Sequence, residues 1–256
     1  MRVMNTPIKP IDFIIIGAMK CGTTSLFDYL IKNPAVSGPP QKELRFFQND
    51  EIYAQGLDTY HANWPASALA AGLIRGEASP QYSLPPEQSL VIAERIFKYN
   101  PDVKLVYLVR HPMERILSHW RHGHRGNPAE WTSFEKSVRD PVWGPWMIQR
   151  TRYLSILGSF WKFFTQERIK IAFLEDITSN TVVECAAIEA FLGIPTRARP
   201  DAFPLKNTTP QRGRPIDQKI IDDILDYLTP EMHAFLAHCG KPRDFWNLEK
   251  GLPYTI

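Results

Sequence analysis

The most constraining feature of this sequence is a short apolar run that leads directly into a glycine loop and a helix. Residues 11–16 read IDFIII, the β-branched pattern that is typical of a strand buried on both faces of a parallel sheet. Gly17 and Gly22 bracket the loop that follows, and residues 24–32 place apolar side chains at helical spacing. A strand, a glycine loop and a helix in this order are the opening of a βαβ unit.

Strand and helix patterns continue to alternate along the chain. Three further ranges have strand character: 73–77 (LIRGE), 103–109 (VKLVYLV) and 169–174 (IKIAFL). Apolar spacing predicts helices at 86–99, 150–164, 216–228 and 230–238. Pro112 is typical of a first helical turn and predicts a helix at 112–122, and Gly193 and Pro195 predict the end of a helix at 181–192. Residues 35–66 and 125–145 are predicted to be mainly loop. The alternation predicts one α/β domain over residues 1–256, with a mainly parallel sheet.

Composition excludes several classes of protein. The chain has 256 residues, of which 44% are hydrophobic and 22% charged, so a disordered or coiled-coil protein is excluded. Thirty basic and 27 acidic residues give a net charge of +3, which favours no nucleic-acid or membrane partner. Three cysteines favour a reducing compartment. No apolar run approaches the roughly 20 residues that span a bilayer, and the polar N-terminus lacks a signal-peptide pattern. We therefore expect a cytoplasmic protein.

The loop between Gly17 and Gly22 has the composition of a phosphate-binding turn. Glycines allow a tight turn in which backbone N–H groups and the helix N-terminus face phosphate oxygens. Nucleotide hydrolases place a lysine directly after the second glycine, whereas here Lys20 precedes it. Three hydroxyl residues follow the glycine: Thr23, Thr24 and Ser25. The pattern predicts a lysine that reaches a bridging phosphate oxygen without a metal. The alternative is an ordinary turn with a surface lysine.

A second anion signal lies at the end of another predicted strand. Arg110 directly follows Val109, and Ser118 lies eight residues later on the next predicted helix. The carboxyl ends of parallel strands line the ligand crevice of such folds. A nucleotide hydrolase places a metal-binding aspartate there, whereas an arginine favours direct pairing with phosphate oxygens. A simple ion pair between Arg110 and a surface carboxylate is the alternative.

Together these segments resemble the sulfotransferases that use 3′-phosphoadenosine 5′-phosphosulfate (PAPS). The resembling segments are 17–26 (GAMKCGTTSL), 42–47 (KELRFF), 77–82 (EASPQY), 110–118 (RHPMERILS), 161–164 (WKFF) and 211–214 (QRGR). The resemblance is closest to the heparan sulfate N- and 3-O-sulfotransferase branch and its bacterial relatives. It implies a P-loop-like three-layer fold, with helices flanking a central parallel sheet. It also implies PAPS as sulfuryl donor, 3′-phosphoadenosine 5′-phosphate (PAP) as product, and no required metal.

The resemblance further implies roles for individual residues. Lys20 contacts the oxygen between phosphate and sulfate, and Glu43 acts as base on the acceptor hydroxyl. The residues implied to bind the 5′-phosphate are Lys20, Cys21, Gly22, Thr23, Thr24 and Ser25. Arg110 and Ser118 hold the 3′-phosphate. The late loop implied to close over the nucleotide contains Arg212, Gly213 and Arg214. A histidine is the rival base, and an ion pair with Lys42 would weaken Glu43 as a base.

Two other functions stay open from the sequence. A nucleoside-triphosphate kinase or hydrolase could use Glu175 and Asp176 as its acidic strand end. A non-catalytic anion- or glycan-binding module could use a set of arginines: Arg110, Arg115, Arg121 and Arg125. Three histidines have a spacing that could suggest a metal site: His119, His122 and His124. No cysteine or carboxylate cluster accompanies them, so we expect no metal.

The expected acceptor is a small-molecule natural product or a saccharide, sulfated at a hydroxyl or alternatively at an amine. Ala78 stands where the heparan 3-O enzymes tend to carry a lysine, which argues against an anionic saccharide held there. Four aromatic residues of the middle segment either line an acceptor pocket or belong to the core: Trp131, Trp143, Trp146 and Tyr153. The sequence carries no signal for the oligomeric state.

Overall fold

A five-stranded parallel sheet lies at the centre of the computed structural model, which describes residues 9–195, 202–205 and 213–255. The strands are β1 (Phe13–Gly17), β2 (Val36–Ser37), β3 (Ile74–Ala78), β4 (Lys104–Val109) and β5 (Ile169–Phe173). Their order is β2-β3-β1-β4-β5, and every pairing between them is parallel. The predicted α/β architecture is confirmed. Strand β2 escaped prediction because two residues are too short to show a period.

Helices flank the sheet and fill the connections between strands. They are α1 (Thr23–Ile31), α2 (Asp50–Tyr53), α3 (Leu57–His61), α4 (Ala66–Ala70), α5 (Pro86–Tyr99), α6 (Pro112–Gly126), α7 (Phe134–Arg139), α8 (Trp143–Gln149), α9 (Tyr153–Phe160), α10 (Leu174–Ser179), α11 (Thr181–Leu192) and α12 (Gln218–His238). Two short 3₁₀ helices lie at Pro80–Tyr82 and Gln166–Arg168. Helices α5 and α11 have the predicted bounds.

Several helix boundaries differ from the predictions. Helix α6 continues beyond residue 122, helix α9 is shorter than its predicted range, and the range 125–145 contains α7 and the start of α8. The two predicted late helices are one helix, α12, with Pro230 inside it. Proline in a helix interior removes a backbone donor and is unfavourable. Here the buried face of the helix, with Leu228 and Met232 on either side of the proline, stabilises the continuous form.

The core is built around the central strand β1 and its neighbour β4. All five residues of β1 are buried, and so are the last five of β4. Trp131 and Tyr153 lie in the same core, and Trp143 and Trp146 pack against it as partly buried side chains. The four aromatic side chains therefore belong to the core, which is one of the two interpretations that the sequence allows. Among the described residues, no helix is both long enough and apolar enough to cross a bilayer.

The parallel arrangement brings the carboxyl ends of the strands to one edge of the sheet. Strand β1 ends at Gly17, β3 at Ala78 and β4 at Val109. Register links Ile15 to Ala78 and, on the other side of β1, Gly17 to Tyr107. The loops that follow these strands are therefore neighbours, although they are far apart in sequence.

Candidate active site

The loops at the carboxyl ends of β1 and β4 border a single cleft of about 840 Å³. Eight residues of the predicted site line it: Lys20, Gly22, Thr23, Thr24, Ser25, Glu43, Arg110 and Ser118. The glycine loop and the strand-end arginine therefore face the same space. The cleft is also lined by residues that the sequence did not assign to the nucleotide site, including Arg45, Gln81, Arg121, His122 and Arg125.

Glycines shape the loop between β1 and α1. Gly22 is the N-terminal cap of α1 and has a left-handed backbone with φ of 88°. A side chain at this position would meet Leu174 Cδ1 at 2.9 Å. Gly17 allows a close approach, because a Cβ atom there would lie 1.8 Å from Ser83 Oγ. Neither a capping side chain nor an acidic residue occupies the first turn of α1. The first turn lines the cleft, and no side chain of that turn neutralises its positive end. This end of the helix therefore favours an anion in the cleft.

Lys20 is the cation within this loop. Its backbone is left-handed, with φ of 72°, and its side chain borders the cleft. The pKa of Lys20 is lowered to about 8, mainly because burial disfavours the ammonium form. The nearby positive charges of Arg125, Arg110 and Arg115 lower it further, whereas Glu43 acts in the opposite direction. An anion bound beside Lys20 would offset these effects and favour the protonated form.

Arg110 connects the end of β4 to the glycine loop. Its Nη1 donates to the backbone carbonyl of Lys20 at 3.4 Å, and its Nη2 donates to Glu114 Oε2 at 3.3 Å. Tyr153 donates its hydroxyl to the carbonyl oxygen of Arg110 at 2.9 Å, which fixes the backbone behind the guanidinium. From the sequence, an ion pair with a surface carboxylate and a place at the anion site were alternative interpretations of Arg110. In the structure Arg110 pairs with Glu114 and also lines the cleft.

Glu43 reaches the cleft from the segment between β2 and α2. Its backbone has φ of 66°, and its N–H donates to the carbonyl of Ala78 at 3.2 Å. Gln81 Nε2 donates to its carboxylate at 2.9 Å, and Lys42 Nζ lies 3.6 Å from Oε1. Burial acts to raise the pKa of Glu43, but the bond from Gln81 and the charges of Lys42 and Arg45 outweigh it. The resulting pKa is below the ordinary value, in the direction expected of a Lys42 pair.

Helix α6 brings further basic side chains to the cleft. Arg121, His122 and Arg125 follow Ser118 at helical spacing, and all of them line the cleft. Burial lowers the pKa of His122, with further lowering by the charges of Lys20 and Arg125. The neutral imidazole is therefore favoured at neutral pH, and it can accept a proton. The signal that points to these residues is the i+3, i+4 and i+7 spacing from Ser118.

Some predicted site residues do not line the cleft. The Cys21 side chain is buried beneath the loop, and its backbone N–H is already bonded within the loop at 3.1 Å. Burial raises the pKa of the Cys21 thiol to about 11, so the side chain packs beneath the loop in its neutral form. Arg214 instead pairs with Glu135 at 2.9 Å, and neither Arg214 nor Gly213 lines the cleft. Arg212 lies outside the described residues.

Groups expected for the rival functions have other partners. Glu175 accepts the backbone N–H of His111 at 2.6 Å, and Asp176 pairs with Lys241 at 2.6 Å. These carboxylates therefore stabilise loops and do not face the cleft as an acidic strand end. Arg115, one of the arginines considered for glycan binding, is fully buried. Within the described ranges, no three histidine, cysteine or carboxylate side chains are grouped as a metal site.

Comparison with known proteins decides between these classes. Residues 10–212 match the family model described as a sulfotransferase domain. The chain belongs to the sulfotransferase family. This sulfotransferase is 33% identical over 192 residues to heparan sulfate glucosamine 3-O-sulfotransferase 5 of Mus musculus, with 72% of the chain and 54% of the relative covered. It is 34% identical over 136 residues to the membrane-associated sulfotransferase kil1 of Dictyostelium discoideum. This alignment covers 50% of the chain and 27% of the relative.

A solved structure shares the fold of this sulfotransferase. The crystal structure of a sulfotransferase from Alicyclobacillus acidocaldarius superposes with a TM-score of 0.73 at 23% identity, covering 93% of this chain and 99% of the other. The predicted family and the P-loop-like three-layer fold are thus confirmed. The sulfotransferase spans about half the length of the curated Mus musculus relative that it matches.

Proposed function

We propose that this sulfotransferase moves the sulfuryl group of PAPS to a hydroxyl of a small-molecule natural product or a saccharide and releases PAP. The main support is that Lys20, Arg110 and Glu43 line one cleft. A cation, a second anion-binding group and a base are the three parts that this transfer needs. An amine is the alternative acceptor. Residues 1–256 act as one domain in this proposal.

The residues of the cleft fit a nucleotide with a phosphate at each end. The amide end of α1, together with Thr23, Thr24 and Ser25, suits the 5′-phosphate. Arg110 and Ser118 suit the 3′-phosphate, since a guanidinium pairs directly with phosphate oxygens. The lining contains more cations than carboxylates: Lys20, Arg45, Arg110, Arg121 and Arg125 against Glu43 and Glu114. Because these cations meet the charge of the nucleotide, the proposal requires no metal.

In the transfer, the acceptor oxygen forms a bond to sulfur while the bond from sulfur to the bridging 5′-phosphate oxygen breaks. Glu43 accepts the proton of the acceptor hydroxyl, which makes the oxygen a better nucleophile. Lys20 stabilises the charge that develops on the departing phosphate oxygen. Most of the rate enhancement comes from in-line positioning and charge stabilisation, as in phosphoryl transfer.

His122 is the second candidate for the base. It lines the same cleft as Glu43, and its lowered pKa favours the neutral ring that can take a proton. The lowered pKa of Glu43 makes that carboxylate a weaker base before the substrate binds. Glu43 is preferred because its carboxylate is oriented by a bond from Gln81.

An acceptor screen with PAPS tests this proposal. We expect sulfated product and PAP from the unaltered protein, and calorimetric binding of PAP. Glu43→Gln should lower kcat by roughly 100-fold while PAP affinity is retained. Full activity in Glu43→Gln, with activity lost in His122→Gln, would assign the base to His122 and leave PAPS as the proposed sulfuryl donor. Absence of PAP binding, or magnesium-dependent binding of ATP in its place, would overturn the proposed function.

The location and the late loop stay predictions. Cys21 and Cys239 are free thiols, and three cysteines are too few for a disulfide framework, which supports a reducing compartment and a cytoplasmic location. Fractionation of cells that express the protein tests this location. The late loop is predicted to close over the nucleotide. The PAP affinities of Arg212→Ala and Arg214→Ala, each compared with that of the unaltered protein, test this role. No nucleic-acid or membrane partner is part of the proposal.

A further inference from the structure

We infer that Glu77 is a positioning residue that holds Glu43 in place through two hydroxyl groups. The inference rests on the proposed role of Glu43 in sulfuryl transfer. Glu77 lies in β3 and has no exposed surface. It does not line the cleft, so it acts on the reaction only through other residues.

The Glu77 carboxylate is surrounded by hydroxyl donors. Ser79 donates to Oε2 at 2.7 Å, and both Tyr60 and Tyr82 donate to Oε1, at 2.7 and 2.9 Å. Burial raises the pKa of Glu77, and the three hydroxyl bonds act against this effect by stabilising the ionised form. A buried carboxylate of this kind is tolerated because its oxygens are satisfied by donors.

The direction of these bonds determines what the hydroxyl oxygens can do next. An ionised carboxylate only accepts, so each hydroxyl must use its single proton on Glu77. The hydroxyl oxygens are then left to accept from other donors. Ser79 Oγ accepts the backbone N–H of Arg45 at 3.1 Å, and the Tyr82 hydroxyl accepts that of Phe47 at 3.4 Å. Glu77 therefore orients two acceptors toward the segment that carries Glu43.

That segment needs such support because its backbone is unusual. Glu43 and Arg45 both have left-handed conformations, with φ of 66° and 54°. This conformation is unfavourable for any residue other than glycine, because Cβ lies too close to the following carbonyl oxygen. The amides of Glu43 and Arg45 are bound by Ala78 and Ser79, at the end of β3. These bonds hold the left-handed turn and direct the Glu43 side chain to the cleft.

Two variants that each remove one hydroxyl from Glu77 form a matched test. Ser79→Ala removes a donor that also accepts the Arg45 amide. Tyr60→Phe removes a hydroxyl that donates to Glu77 at the same distance of 2.7 Å. Within the described part of the chain, no backbone amide donates to the Tyr60 hydroxyl. Both variants cost Glu77 one hydrogen bond, but only Ser79→Ala releases the segment that carries Glu43.

We expect Ser79→Ala to lower kcat by about tenfold, because a small displacement of a catalytic group is costly. PAP affinity should stay within about twofold of the unaltered protein, since the nucleotide contacts are untouched. The acid limb of the kcat profile should move to higher pH, because Glu43 leaves the donors that lower its pKa. Tyr60→Phe should lower the thermal stability about as much as Ser79→Ala does, while its kcat and pH profile stay those of the unaltered protein. Equal kcat in the two variants would overturn the inference.

Hydrogen exchange of the unaltered protein gives a test that does not depend on folding of a variant. The backbone amides of Glu43, Arg45 and Phe47 should exchange slowly, although they lie outside helices and strands. Fast exchange of all three would contradict the inference. The proposed function fails separately, through absence of sulfated product or of PAP binding. Full activity in Glu43→Gln would instead assign the base to another residue. Normal kcat in Ser79→Ala, together with an inactive Glu43→Gln, would reject only the role of Glu77.

Discussion

Lys42 Nζ donates a hydrogen bond to Thr24 Oγ1 at 2.7 Å. The same ammonium lies 3.6 Å from Glu43 Oε1. One side chain thus joins the first turn of α1, which faces the nucleotide site, to the proposed base. Burial lowers the pKa of Lys42, while Glu43 acts to raise it. The pair places the donor loop and the base in one electrostatic network.

Replacing Lys42 should change the pH dependence of the reaction. The charge of Lys42 is one of the causes that lower the pKa of Glu43, so Lys42→Met should raise that pKa. A base with a raised pKa becomes protonated at higher pH, and activity is therefore lost earlier as pH falls. A kcat profile between pH 4 and 8 measures this shift. Lys98→Met, which removes an exposed lysine paired with Glu94, is the matched control and should leave the profile unchanged.

The affinity for PAP should weaken as pH rises above about 8, the pKa of Lys20 in the free protein. Above this pH the free protein must take up a proton to restore the ammonium that pairs with phosphate. Affinity then falls by up to roughly tenfold per pH unit. Calorimetry at pH 7 and pH 9, in buffers of different ionisation enthalpy, measures the affinity and the proton uptake. Lys20→Met should bind more weakly at pH 7 and show no such uptake, and uptake that persists in this variant would contradict the assignment.

Arg110→Ala should remove the preference for a 3′-phosphate. Charge-assisted bonds of this type contribute about 1.5–3 kcal/mol, so PAP affinity should fall roughly 10- to 100-fold. Affinity for adenosine 5′-phosphate, which lacks the 3′ group, should stay nearly constant. Calorimetric titration with both nucleotides gives the comparison. Arg168→Ala removes a guanidinium that pairs with exposed Asp102, and both affinities should be retained. Equal losses for both nucleotides in Arg110→Ala would place the 3′-phosphate elsewhere.

Arg115 should be required for stability. It is fully buried, and its donors bond to Thr151 Oγ1 at 2.8 Å and to the carbonyl oxygens of Met19 and Met147. Arg115→Met would leave these buried acceptors without their donor, at a cost of about 2–4 kcal/mol in unfolding free energy. Urea denaturation measures the change. Arg139→Met, at an exposed arginine, should change stability by less than about 0.5 kcal/mol. A similarly small change in Arg115→Met would contradict this role.

The parts that could be read from the sequence are those whose physical cause is local. The apolar run at 11–16 marks strand β1 because a strand buried on both faces has a continuous hydrophobic pattern. Helix α5 was predicted with its bounds because a 3.6-residue period persists along it, and the end of α11 was predicted because Gly193 and Pro195 follow Leu192. Lys20 and the hydroxyl residues after Gly22 could be placed together because they share one loop.

Only the tertiary structure decided how the distant segments meet. Cys21 belongs to the same loop as Lys20, yet its side chain points into the core, because a tight turn directs neighbouring side chains to opposite sides. Helix α12 continues through Pro230 because packing of its buried face outweighs a local preference.

The contacts of Glu43 show the same division. Its motif is visible in the sequence, but its left-handed backbone and its bond from Gln81 depend on the end of a strand more than 30 residues away. Glu77 begins the resembling segment 77–82, but nothing local in the sequence predicted its contacts, because a buried carboxylate is tolerated only where folding brings several donors to it. The sequence determined the elements and the chemical groups, and the register of the parallel sheet determined which groups share a cleft.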